Sequence, residues 1–224
     1  MHIVAISDLH GFLPEIPECD VLAIAGDICP LGNHSSAFQE KWMWGPFYDW
    51  LRETPAKRRV GVGGNHDFYS EAAPEVLRSL PWTYLVNEHV VIDDVMFWGS
   101  PLSPTFGEGW AWNASEATLE DVYGQIPRAA DVLITHGPPY GVRDRTYFDD
   151  QVGSLALREA IRRVQPLLNI CGHIHPGYGV DAVLYEGGRT VVGNASIVNG
   201  LYEHVNEPLQ FRLSKEARYV QQLQ

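Results

Sequence analysis

A chain of 224 residues is the length of one α/β domain with a full core, and its formal net charge of −12, from 16 Lys and Arg against 28 Asp and Glu, argues against general attraction to nucleic-acid backbones or anionic membranes. No apolar run nears the roughly 20 residues that span a bilayer. The first apolar strand begins almost at Met1, which leaves no space for a secretion leader, so a cytoplasmic location is the expectation. Cys19, Cys29 and Cys171 have no metal-type spacing and read as buried, reduced thiols.

His2 to Ile6 is a β-branched apolar run, followed by Ser7-Asp8-Leu9-His10-Gly11. In an extended segment residues i and i+2 share a side, so Asp8 and His10 can reach one cation together; taken alone, the stretch reads more readily as a turn aspartate beside a surface histidine. Residues 21–25 repeat the pattern of an apolar strand that stops on a carboxylate, here Gly26-Asp27. Ser35 or Ser36 is placed to cap a helix through Phe38, Trp42, Phe47, Trp50 and Leu51, with an aromatic stripe toward the core and a break or kink at Gly45-Pro46. Residues 59–62 form the third strand, which ends in Gly63-Gly64-Asn65-His66-Asp67. The paired glycines let backbone approach a ligand, and the next three side chains all donate or accept hydrogen bonds.

Residues 71–80 read as one helix with Pro74 in its first turn. Short strands are expected at 83–86, 88–92 and 95–99, the last two joined through Asp93-Asp94, as antiparallel additions to a mixed sheet. The loop 100–113 has no period of its own; Trp110 and Trp112 either stack on a substrate ring or pack the loop down. Ser115 caps a helix to about Gln125. Residues 131–135 form a strand that stops on His136-Gly137-Pro138-Pro139, a rigid turn. In the polar loop 141–151, Arg143 or Arg145 can meet a phosphate oxygen or form a loop salt bridge. A helix at 154–164 precedes a strand at 167–171, and Gly172-His173-Ile174-His175 follows with the same i, i+2 spacing. Strands at 178–185, 189–192 and 209–213 read as a terminal meander that turns at Gly187-Gly188. With no repeat or linker, residues 1–224 are expected to be one domain.

Five of the nine histidines lie in turns that follow strands, while His2, His34, His89 and His204 read as structural or surface residues. The turns group naturally into one cation site of Asp8, His10, Asp27 and His175, and a second of Asp27, Asn65, His136 and His173, with Asp27 bridging. Oxygen and imidazole donors without thiolate suit two divalent or mixed-valence ions among Mn, Fe, Zn, Co and Ni. Such a pair orients a phosphoester for in-line attack and lowers the pKa of a bridging water toward about 7. His66 is then a proton donor near the leaving oxygen or an added positive group. Asp67 either fixes the His66 tautomer or is an exposed turn carboxylate.

The blocks Asp8-Leu9-His10, Gly26-Asp27, Gly64-Asn65-His66-Asp67, His136-Gly137 and Gly172-His173-Ile174-His175 resemble, in order, the pattern of the calcineurin-like metallophosphoesterase superfamily. That resemblance implies a four-layer α/β/β/α sandwich with two mixed sheets, and the same ligand assignments. The stretch 135–144 followed by 175–179 is similar to the metallophosphoesterase-domain-containing subgroup, which implies phosphodiester and nucleotide-type substrates. Ile28-Cys29-Pro30-Leu31 stands where protein-phosphatase members carry Asp-Arg-Gly, which argues against phosphoprotein substrates. The leading reading is a dinuclear-metal-dependent phosphodiesterase that acts through a metal-bridging hydroxide on a small phosphoester, without nucleic-acid or membrane partners. A phosphomonoesterase is the alternative. A non-catalytic scaffold is disfavoured by the complete ligand set.

Overall fold

The computed structural model describes residues 1–223. Two six-stranded sheets carry the fold. The first contains β1 (His2–Ile6), β2 (Cys19–Ala25), β3 (Ala56–Val62) and β4 (Thr83–Tyr84). The second contains β5 (Glu88–Ile92), β6 (Val95–Ser100), β9 (Val132–Thr135), β10 (Leu168–Cys171), β11 (Gly179–Tyr185) and β12 (Gly188–Asn194). Two short strands between them, β7 (Ser103–Pro104) and β8 (Asn113–Ala114), pair within the long loop. The chain then returns to the first sheet with β13 (Leu209–Ser214) and β14 (Tyr219–Gln222). Strand order is β14-β13-β1-β2-β3-β4 in the first sheet and β11-β12-β10-β9-β6-β5 in the second.

The apolar runs of the central strands are continuous because both faces are covered. Along β1, Ile3 and Ala5 enter the core between the sheets, whereas Val4 and Ile6 point to the outer layer of the first sheet. Val132 and Ile134 of β9 likewise face inward while Leu133 faces the outer layer of the second sheet. The first outer layer is helical: α1 (Ser36–Trp42), a π-helical turn at Met43–Phe47, α2 (Tyr48–Glu53), α3 (Phe68–Ala72) and α4 (Pro74–Leu77). The second is α5 (Glu116–Gly124) and α6 (Leu155–Val164), each capped by the serine before it. The expected α/β/β/α layering is therefore the architecture found.

The interruption expected at Gly45-Pro46 is the π turn at Met43–Phe47, which absorbs the missing donor of Pro46 and separates α1 from α2. Three local expectations are corrected. The helix expected over 71–80 is two short ones, since Ala73, the residue before Pro74, leaves the helical region at φ −141°. Strand β4 is not an antiparallel addition but pairs parallel with β3; only β5 and β6 form the expected hairpin. The terminal strands are not one meander: β11 and β12 pair in the second sheet, while β13 crosses to lie antiparallel against β1.

Phe211 of β13 is fully buried in the inter-sheet core and fills the space that Gly193 of β12 leaves open. Phe211→Ala is expected to lower the unfolding free energy by about 3–5 kcal/mol in equilibrium urea titrations.

Candidate metal centre

The carboxyl ends of β1, β2, β3, β9 and β10 meet at one place. There the sheets are tied together: Ser7, just past β1, forms a parallel bridge with Ser196, just past β12. Its N–H donates to the Ala195 carbonyl at 2.8 Å and its carbonyl accepts from Ile197 N–H at 2.9 Å. Past this bridge the chain turns sharply. Asp8, His10, Asp27 and His173 all have left-handed backbone, with φ of 55°, 44°, 53° and 66°. Asp8 and His10 thus converge through a turn rather than through strand alternation, and His175 lies in a 3-10 turn at His175–Gly177. Two glycines allow this crowding. A Cβ at Gly26, where φ is +97°, would lie 2.5 Å from the Gly63 carbonyl oxygen, and one at Gly172 would lie 2.3 Å from Asp8 Oδ2.

The donors point at one another. His10 Nε2 lies 3.7 Å, and His136 Nε2 3.5 Å, from Asp27 Oδ2, and His175 Nε2 lies 3.5 Å from Asp8 Oδ1. Asn65 Oδ1 lies 2.9 Å from His136 Nε2. Three groupings bring candidate ligand atoms within 4.8 Å of one another: Asp8 with His10 and His175; His10 with Asp27 and His66; and Asp27 with His136 and His173. Two imidazoles are oriented from behind. His136 Nδ1–H donates to the Ala25 carbonyl at 2.8 Å, and His175 Nδ1–H donates to the Asn199 carbonyl at 3.1 Å, which turns each Nε2 inward. Asp8 is held by the His173 N–H and by the Ser196 hydroxyl, the latter at 2.5 Å.

Burial opposes ionisation of both carboxylates. The His175 imidazole beside Asp8, and the His136 imidazole beside Asp27, nevertheless hold them well below the usual carboxylate range. Burial pushes His10 down to about 4 and His173 to about 3, so both are neutral at pH 7 and offer lone pairs. Both nitrogens of His10 are buried without a hydrogen-bond partner. Against the effect of burial, Asp27 holds His136 up at about 9 and Asp8 holds His175 above the usual imidazole range. Ionised carboxylates, two neutral imidazoles and two whose protons a metal would displace form a donor set that fits divalent cations.

Beside this cluster lies a cavity of about 680 Å³, lined by Asp27, Asn65, His66, His173 and His175 and walled by Phe106, Trp110, Tyr147 and Tyr202. Three expected contacts lie elsewhere. Trp112 is buried and donates its indole N–H to Ser70 Oγ at 2.8 Å, so it packs the loop down. Arg143 is turned away from the cavity and donates to the carbonyls of Tyr178 and Val180. Asp67 is neither exposed nor bonded to the His66 ring. It is fully buried and accepts from the N–H groups of Ile28, Cys29 and Gly64 at 2.9 Å, holding two of the turns together. Burial, then the nearby charge of Asp27, pushes its carboxyl up to about 6.

Several neighbours of the site carry no sequence signal. Ser196 and Asn199 lie beyond the last recognisable block, and Tyr202 packs its ring 4.9 Å from that of His10 and 5.2 Å from that of His175. His34, read from sequence as a structural or surface residue, has its Nε2 3.2 Å from His66 Nδ1.

Two sheets with covered outer faces and a cluster of Asp, Asn and His at their carboxyl ends define a metallophosphoesterase architecture, and the family model of calcineurin-like phosphoesterases matches residues 1–177. The chain belongs to that family. It is 35% identical over 237 residues to human metallophosphoesterase domain-containing protein 1, an alignment that covers 92% of this chain and 69% of the relative. The mouse protein of the same name matches with the same figures. One solved structure superposes on the whole chain and on 98% of its own with a TM-score of 0.63 at 18% identity, a likeness of fold alone. Among the described residues no helix is long and apolar enough to cross a membrane.

Two outcomes test the cluster. Asp27→Ala is expected to lose bound metal by elemental analysis, whereas His66→Ala keeps it nearly intact; equal loss in both would refute the division between them. Removing divalent cations with a chelator is expected to lower Tm by on the order of 5–10 °C, the effect of losing ligands held at about 100 times their Kd.

Proposed function

We propose that the chain is a dinuclear-metal-dependent phosphodiesterase acting on phosphodiester or nucleotide-type substrates. Its ligands are Asp8, His10, Asp27 and His175 for one ion and Asp27, Asn65, His136 and His173 for the other. The observation that carries the reading is the convergence of Asp8, His10, Asp27, His136, His173 and His175, with Asn65 against His136, beside a cavity that Asp27, Asn65, His173, His175 and His66 line. Mn, Fe, Zn, Co and Ni all suit a site of imidazole and oxygen donors. Two such ions, when bound, supply Lewis acidity toward the phosphate oxygens and activate water as the nucleophile.

The chain's own residues supply the rest. His66 lies at the cavity wall and is the proton donor toward the leaving oxygen; its backbone N–H donates to Asp27 Oδ1 at 2.8 Å, which fixes its distance from the ligand set. Phe106, Trp110, Tyr147 and Tyr202 offer flat apolar faces to a base or other ring. No Lys or Arg is among the cavity-lining residues described, so the additional negative charge of a monoester's terminal phosphate finds no cationic side chain there. That favours a single esterified phosphate flanked by organic groups, hence the diester over the monoester. A cytoplasmic setting belongs to the same reading and accords with three unpaired cysteines.

Hydrolysis of bis-p-nitrophenyl phosphate and of the mono ester, each with Mn added and with chelator, tests this. The diester is expected to have the higher kcat/KM, and chelator to abolish both activities. A higher value for the mono ester would favour a phosphomonoesterase, and a metal-loaded sample inert toward both a scaffold. His66→Ala is expected to lower kcat by about 10²–10⁴.

A further inference from the structure

We propose that His34 is the positioning residue of His66: it occupies the Nδ1 side of that ring, so that the hydrogen on Nε2 is presented to the cavity. The proposal rests on the reading of His66 as the proton donor. His34 Nε2 lies 3.2 Å from His66 Nδ1, and it is the one hydrogen-bond partner of the His66 ring among the described residues. With Nδ1 accepting from the His34 Nε2–H, neutral His66 carries its own hydrogen on Nε2. Asp67, the sequence neighbour suited to this task by charge, is turned to backbone N–H groups instead.

The placement of His34 is built into the fold. It stands two residues before α1, next to Ser35, whose hydroxyl caps that helix by accepting from Phe38 N–H. One turn into α1, the fully buried Gln39 donates to the His66 carbonyl at 2.6 Å and accepts from Tyr69 N–H at 2.8 Å. The start of α1 therefore grips His66 twice, by the main chain through Gln39 and by the ring through His34. The Phe68 ring, 5.1 Å from that of His34, supports the pair from the side. Because His34 itself is exposed, replacing it does not open the core.

The test uses His34→Phe, which keeps a flat ring but cannot hydrogen bond, and His34→Gln, whose amide can donate toward Nδ1. In the metal-free protein, ¹⁵N spectra of the histidine rings are expected to show His66 with its hydrogen on Nε2 in the wild type. In His34→Phe the two neutral forms mix, and in His34→Gln the wild-type form returns. With metal bound, His34→Phe is expected to lower kcat toward bis-p-nitrophenyl phosphate by about 10-fold or more, as loss of an orienting partner does, with KM and metal content close to wild type. The same change in a His66→Ala background should alter kcat less than 2-fold. Unchanged His66 spectra in His34→Phe, or an equal loss of kcat with and without His66, would overturn the proposal. The spectra need no turnover, so a protein without phosphoesterase activity would sink the functional reading and leave this contact separately decided.

Discussion

Two buried carboxylates, Asp8 and Asp27, set the terms for this structure. Each sits at the junction of the sheets with almost no solvent contact, and among the described residues its ion-pair partners are histidines rather than Lys or Arg. An unpaired ionised carboxylate in such a place costs several kcal/mol. Here Asp8 is met by a backbone N–H, a serine hydroxyl and an imidazole, and Asp27 by the His66 N–H and two imidazoles. The neighbouring histidines are drawn into that field, and His136 and His175 are turned by main-chain carbonyls so that Nε2 of each faces an acid. A bound cation would take the place of the protons that His136 and His175 hold against these acids, which is the physical sense in which the arrangement fits cations.

Holding these groups so close strains the backbone. Four of the proposed ligands adopt left-handed conformations, at roughly 1–2 kcal/mol each for a residue with a Cβ. Asp and His tolerate this region better than branched side chains do. The strain is carried by hydrogen bonds between turns: Asp8 N–H to the Gly26 carbonyl, His10 N–H to the Asp27 carbonyl and Gly172 N–H to the His136 carbonyl. Asp67 adds three more from a single side chain. Its fold role explains why a carboxylate follows His66 although it does not touch that ring.

Much of the architecture was legible in the sequence because apolar runs ending on Asp, Asn or His repeat five times, and both periodicity and motif order survive without any long-range information. What was not legible depended on contacts between distant segments. The direction of β4 and the sheet joined by β13 are decided by which edge is free, and a short run such as Thr83-Tyr84 carries no sign of that. Trp110 and Trp112 are near neighbours of like chemistry, yet one lines the cavity and the other is anchored to Ser70. His34 is exposed, as its sequence setting suggested, but its contact with His66 was not legible because the two lie 32 positions apart and the helix that aligns them is visible only by its cap.

The matched stretch that ends at residue 177 is not a self-sufficient piece of this molecule. Beyond it come β12, which lies between β10 and β11, and β13, which covers the free side of β1. Ser196, which clasps Asp8, and the Asn199 carbonyl that steers His175 also come from this later part. A fragment cut at that boundary would keep all seven proposed ligands in its sequence while exposing an open edge on both sheets. Recognisable motif and foldable unit are different lengths of chain in this protein.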